Sequence, residues 1–541
     1  MVTHRFSTAF ALVLCAATLP ACYEDNCEVR VTCPGISAAL DPPAEEDVEP
    51  DPDPDPDPGA GSQVMPVNLG VELPECNDDL EVQTACGVFV STSMGDDSHS
   101  FGTRKAPVKT LSRAVEIAKA HSRVIYACAE IFEGDVVLPA GFVLIGGLLC
   151  EEDWIRGENW ERTEIAGAPG DVPLLVAPTD ASGENTIVQN VHFHAADAYL
   201  PGQSSVSVRV ADGASVKFQN CDFDPGWGMP GADGKHGSVI EEPAPGGEHG
   251  VPGGLACQGW SPKGGHAVYT ICGLGSSVGG FGGDGAGEEG MPGMDGTPDP
   301  DPEDLMSGLG GEGQTASLAC TPGQPGAVGT DGADGAGAIA GLARLQSLNY
   351  VGVAGGNGGL GLPGQGGGGG GGGRGGQLCG VKPGGGAGGG SGGSGGCGGL
   401  AGFGGGAGGG SIAIIMGAAK VILEGGILQS HDGSPGGNGG RGQVGGPGGA
   451  GGIGGFGQQQ SPSACAGGHG GAGGRGGHGG GGLGGPSIGV AYSTVEPLLL
   501  GVELAIGAPG PGGEPGDPYL KEIAGAKGLG GETVQLLPPP G

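Results

Sequence analysis

The sequence predicts an all-β fold of short stacked strands, interrupted toward the C-terminus by long Gly-rich arms. Three observations carry this expectation. From Ser411, short runs of apolar and β-branched residues (Ile412 to Met416, Val421 to Leu423, Ile427 and Leu428) are separated by Gly or Ala, as expected of strands joined at tight corners. The same succession recurs from Ser487 and, more loosely, from Ala338, at steps of 76 and 73 residues. Between these starts lie the arms Gly355 to Gly410 and Gly433 to Pro486, of 56 and 54 residues. Such a unit cannot bury its own apolar face, so it must stack on its neighbours.

Composition rules out one large core: of 541 residues 133 are Gly and 43 Pro, with 37% hydrophobic and 4% aromatic. Twenty-two basic against 59 acidic side chains give a formal charge of −37, which opposes binding to nucleic acid or to anionic membrane surfaces. That charge keeps a Gly-rich chain soluble.

The chain opens with Arg5, an apolar run from Phe6 to Leu19, then Leu19-Pro20-Ala21-Cys22. The run is short for a membrane span and has the form of an export signal. LPAC resembles the lipobox of bacterial lipoproteins, which implies cleavage before Cys22, lipidation of its thiol and a membrane attachment through acyl chains. By the same resemblance, Tyr23 rather than Asp after the lipidated Cys favours the outer membrane, on its surface or periplasmic side. Of 15 Cys, Cys15 leaves with the signal and Cys22 would be lipidated. Export makes disulfides expected for the rest, with one thiol over. Proximity alone pairs Cys27 with Cys33, Cys76 with Cys86, Cys128 with Cys150, Cys257 with Cys272, and Cys379 with Cys397, although connectivity stays open.

Asp41 to Pro58 reads DPPAEEDVEPDPDPDPDP, an acidic, Pro-rich tether of roughly 55 Å at about 3.1 Å per residue. Folded sequence begins near Gly87. Leu111, Ala114, Val115 and Ala118 follow helical spacing with Thr110 as N-cap, so a helix is predicted over Leu111 to Ala120. Strands are predicted at Val124 to Ala127, Asp135 to Leu138 and Phe142 to Ile145. Alternating apolar positions at Ile187 to Phe193, Val206 to Val210 and Val216 to Phe223 predict more.

The order GDDSHSFGT, then TLSRAVEIA, then VIYACAEIFEGDVVLPAGFVLIGG resembles the opening of pectin-lyase-like β-helices on bacterial surface proteins; NWERTEIAG and NTIVQNVHFHAADA resemble further coils. The resemblance implies a right-handed parallel β-helix capped by a short N-terminal helix. Coils of roughly 20 to 25 residues would place about five or six before Pro225. The expected divisions are 1–21 signal, 22–86 lipidated N-terminus and tether, 87–225 β-helix with its cap, and 226–541 arms interleaved with further coils.

After Pro225, GMPGADGKHG, GEEGMPGMDG and GQPGAVGTDGADG place Gly at every third residue in runs too short for collagen. Packing as extended three-residue-per-turn helices is expected, with disorder the alternative. Such geometry aligns His469, Ala472, Arg475 and His478, but spreads the two His over roughly 28 Å, too far for one metal ion. GGFGGDGAG, with Asp284, matches only the start of one calcium nonapeptide, and Asp233, Asp295, Asp331 and Asp334 read as turn residues. No metal ligand or cofactor is assigned.

Many enzymes of the resembled fold cleave acidic polysaccharides with carboxylates and a basic residue. Asp222 and Asp224 would share a strand face, with Lys217, His192 and His194 on nearby coils, yet the hydrolase motif set is not assembled, and His192 and His194 read as outward residues on a solvated face. No catalytic residue is assigned. The expectation is a non-catalytic structural or adhesive surface lipoprotein, with cell-surface polysaccharide or other surface proteins as candidate partners. A polysaccharide lyase or hydrolase is the alternative, and a glycan-binding module displaying aromatic platforms the third reading.

Overall fold

The computed structural model describes residues 87–120, 124–156, 161–178, 186–238, 242–299, 306–380 and 384–536. Cys22, Cys27, Cys33, Cys76, Cys86, Trp160 and the acidic tether lie outside these residues.

Three stacked sheets built of parallel strands form the frame, the arrangement of a parallel β-solenoid. The first sheet takes Val88–Val90, Val124–Cys128, Val143–Leu149, Thr186–Gln189, Ser215–Gln219, Lys420–Glu424 and Leu498–Leu500. The second takes Ile131–Glu133, Thr163–Gly167, Val191–Ala195, Asp222–Asp224, Ile427–Ser430 and Glu503–Ile506. The third takes Val136–Pro139, Leu174–Ala177, Ser205–Val210, Ser411–Met416, Ser487–Tyr492 and Gly530–Gln535. From Val124 the chain visits the sheets in turn, so each coil stacks one strand on each. Within Gly87 to Pro225 this gives fewer, longer coils than expected, because excursions such as the one carrying Ile155–Arg156 lengthen them.

Inward alternate residues fill the stack. Phe193 packs on Phe218 and Phe223 with ring centroids 5.9 and 5.4 Å apart. At the corner between the first and second sheets, Asn190 and Asn220 adopt φ of 56° and 51°, a left-handed conformation that Asn tolerates. The Asn220 side-chain amide donates to the Asn190 side-chain Oδ1 at 2.7 Å, so the corner is itself a ladder. The helix Leu111–Ala120 starts where Thr110 Oγ1 accepts the Arg113 N–H, and buries Leu111, Ala114, Val115 and Ala118. It packs on Val88–Val90, Val124–Cys128 and Val136–Pro139, covering the apolar end that the first coil would otherwise expose.

The third sheet explains the continuous apolar run SIAIIM. Its strand Ser411–Met416 is buried at every position, because a second layer covers the outer face. Part of that layer is a hairpin, Arg344–Gln346 with Asn349–Val351, whose Leu345 packs with Val206, Ile412 and Ile488. Ser347 and Leu348 sit in its turn at φ of 48° and 57°, both positive, as a two-residue turn of this hand demands. The Ala338 segment is therefore not a coil, which corrects the 73-residue step. The 76-residue step is real: Ser411 pairs with Ser487 and Ile427 with Glu503. An unforeseen stacking joins Ser205 to Ser411 across a long excursion of the chain.

The arms all leave between a strand of the second sheet and one of the third: 225–410, 431–486 and 507–529. Their described residues are mostly extended. Backbone bonds repeat every third residue: Gly355, Gly358, Gly361 and Gly364 N–H donate to Gly405, Gly402, Gly399 and Gly396, antiparallel. The residues one place on, Gly356, Gly359, Leu362 and Gln365, donate to Ala336, Ala333, Thr330 and Ala327. A chain turning once per three residues aims successive amides at different neighbours, which accounts for the period. Gly366 to Gly373 is buried throughout, bonded on one side to Thr297, Met294 and Met291 and on others to Gly393, Gln324 and Gly468. These glycines do not need positive φ; a Cβ at Gly369 would overlap the Phe281 carbonyl.

Among the described residues four disulfides form, one in the solenoid and three in the arm bundle. Cys128 is bonded to Cys150, Cys257 to Cys379, Cys272 to Cys397, and Cys320 to Cys465. Pairing Cys257 with Cys272 and Cys379 with Cys397 by proximity is thus corrected: extended arms carry sequence neighbours apart, and lateral packing brings Cα atoms 5.4 Å apart across 122 and 125 residues. Cys221 is free and buried, and burial pushes its thiol up to about 12. Among the described residues no helix is long and apolar enough to cross a membrane.

Candidate functional site

The second sheet turns two columns of side chains outward. On Val191–Ala195 the inward residues are Val191, Phe193 and Ala195, which leaves His192 and His194 outside. On the next strand Phe223 points in and Asp222 and Asp224 out. Register places His192 beside Asp222 and His194 beside Asp224. On the following coil Leu428 pairs with Phe223, bringing Gln429 alongside Asp224.

Asp224 is the centre of this face. Its Oδ2 lies 2.9 Å from His194 Nδ1 and 3.9 Å from His192 Nε2. Its Oδ1 accepts from the Gln429 side-chain amide and lies 3.6 Å from His431 Nε2. His431 is fixed in turn: Ser411 Oγ accepts its backbone N–H at 2.9 Å, and the Trp227 ring stacks on its imidazole with centroids 4.8 Å apart. Exposure runs from 20% at Asp224 to 45% at His194, so the group is sheltered but open to solvent.

Asp222 has a different occupation. Arg162 Nε donates to its Oδ2 at 2.7 Å, the Ile427 N–H donates to its Oδ1 at 3.0 Å, and the same guanidinium reaches Asn220. This carboxylate ties three coils together. Lys217 does not join the cluster: it belongs to the first sheet, where its Nζ pairs with Glu424 at 2.7 Å. The sequence thus identified Asp222, Asp224, His192 and His194 as neighbours, which the register bears out, but not Gln429, His431 or Arg162. Gln429 and His431 reach the site across an excursion of some two hundred residues that hides the coil repeat, as the 205-residue separation of the Gln429–Asp224 bond shows.

The other sequence candidates serve the arms. Asp331 and Asp334 accept the backbone N–H of Arg475 and His478 at 2.6 and 2.7 Å, Asp233 that of Asn438, and Asp295 that of Gly310. They lie along extended segments rather than in turns, which corrects that reading: at the edge of the bundle a side-chain oxygen supplies the acceptor that a further arm would have provided. Asp284 binds the Gly264 N–H and Lys263 in the same manner. Burial, reinforced by the Arg475 guanidinium, holds the His478 imidazole below its usual value. Trp154 is buried edge-on against Phe89, while Trp260 is 80% exposed.

Comparison with protein families, with curated proteins and with solved structures finds no match.

Proposed function

We propose that the chain is a non-catalytic surface lipoprotein, structural or adhesive, in which a right-handed, pectin-lyase-like β-helix displays a rigid bundle of Gly-rich arms. One observation carries this reading: successive arms leave the solenoid at the same corner and bond to one another, leaving Leu400, Phe403, Val444, Ile453 and Phe456 exposed along them. Apolar side chains held on a stiff lattice make contact at little entropic cost. Four disulfides suit an oxidising, extracytoplasmic compartment, and LPAC supplies a lipid anchor at Cys22 in the outer membrane. Cell-surface polysaccharide and other surface proteins are the partners this implies.

The test is retention of the purified protein on polysaccharide-coated and apolar surfaces, beside Phe403→Asp and Phe456→Asp variants. Retention reduced by both changes is expected. Equal retention of all three forms would remove the adhesive role. Asp222, Asp224 and the histidines favour the lyase or hydrolase alternative, so the same samples are assayed for new reducing ends and unsaturated products from acidic polysaccharides. Robust turnover would replace this reading.

A further inference from the structure

We propose that His192, His194 and Asp224 bind one divalent transition cation of the zinc type, with His431 of the next coil completing the set. The proposal does not rest on the surface role. One ligand atom from each of His192, His194 and Asp224 can be chosen so that all lie within 4.8 Å of one another. Around a tetrahedral zinc ion with bonds of about 2.0 to 2.1 Å, donor atoms stand about 3.3 Å apart. The separations of 2.9 and 3.9 Å from Asp224 Oδ2 bracket that spacing. Small rotations of half-exposed imidazoles would close the set.

The donor chemistry selects the ion. Two or three imidazole nitrogens and one carboxylate suit zinc and its neighbours, whereas calcium and magnesium take oxygen. The carboxylate is already oriented as a ligand, since Gln429 donates to Oδ1 and leaves Oδ2 directed at His192 and His194. The Trp227 ring likewise holds the His431 imidazole in place. Among the described residues no Lys or Arg is paired with Asp224, in contrast to Asp222 with its Arg162. The chain's charge of −37 further favours a cation.

The experiment is calorimetric titration of the chelator-treated, purified full-length chain with zinc chloride, with cobalt(II) absorption reporting nitrogen coordination. One ion per chain is expected. His194→Ala and Asp224→Asn should each weaken binding tenfold or more, and His431→Ala should weaken it severalfold. His236→Ala, in an arm, should leave it unchanged. His194 is half-exposed, so its removal spares the core, and unchanged thermal unfolding without zinc establishes that. Saturating zinc should raise the unfolding temperature of the native chain but not of His194→Ala. Absence of saturable binding, or binding equally tight in a His192→Ala/His194→Ala double variant, would overturn the site. Affinity unchanged in His431→Ala would remove His431 from it.

Discussion

The solenoid and the arm bundle satisfy the same requirement by opposite means. In the solenoid, backbone groups pair laterally between strands, and aromatic and aliphatic side chains fill the interior: Phe193, Phe218 and Phe223 are all buried. In the bundle the interior has almost no side chains. Gly366 to Gly373 is buried, yet what surrounds it is the backbone of other arms. Burial in one region is therefore apolar area removed from water; in the other it is mainly hydrogen bonding and close backbone contact, with room for a Cβ only at chosen places such as Ala387, Ser391 and Ser394. Most large apolar side chains consequently have reversed addresses, inside the solenoid and outside the bundle, with Leu483 buried near the foot of its arm as an exception.

The strongest way to break the comparison is to truncate one large side chain in each region. Phe193→Ala should cost about 3 to 5 kcal/mol in denaturant unfolding of the solenoid, while Phe403→Ala, at 52% exposure, should stay within roughly 0.5 kcal/mol. Comparable losses would mean the bundle also depends on side-chain burial. Next comes removal of a staple. Cys272→Ser with Cys397→Ser should cost about 2 to 4 kcal/mol and render the arms, rather than the solenoid, sensitive to limited proteolysis.

The converse substitution adds a methyl group. Gly369→Ala should destabilise the bundle by about 1 to 3 kcal/mol, whereas Gly287→Ala, with open space around its Cβ position, should change little in thermal unfolding. Smaller still, Asp334→Ala leaves the His478 N–H without its acceptor and should cost about 1 kcal/mol by the same measurement. Finally, Glu130 should make the solenoid cap pH-sensitive. Burial pushes its carboxyl up, but hydrogen bonds from Ser93 and Thr92 outweigh that and hold it below the usual carboxylate value. A depressed value contributes stability above the ordinary carboxylate range that is lost as pH falls through the folded value. Glu130→Gln should abolish that part of the acid dependence in unfolding measured from pH 6 to 3.

Legibility in the sequence follows the same divide. The helix Leu111–Ala120 and the alternating strands were readable because apolar side chains mark a buried face. Asp222 and Asp224 on one face followed from the two-residue strand period alone. The arms offer no such marks: a Gly triplet states that something approaches closely, not which segment. That is why Cys257 could not be matched to Cys379, nor His431 to Asp224, from sequence. The hairpin at Ser347 and Leu348 is not legible, because neither residue type announces a turn with positive φ.

A lattice of triplets also lacks landmarks. Sliding one arm along another by three residues returns every glycine to an equivalent place, so the backbone alone is nearly indifferent to where it stops. The disulfides Cys257–Cys379, Cys272–Cys397 and Cys320–Cys465, with the acidic side chains at the bundle's edge, act as the index marks that single out one alignment. Changes in arm length are thereby counted in threes: a gain or loss of whole triplets keeps the weave, while one or two residues would scramble it.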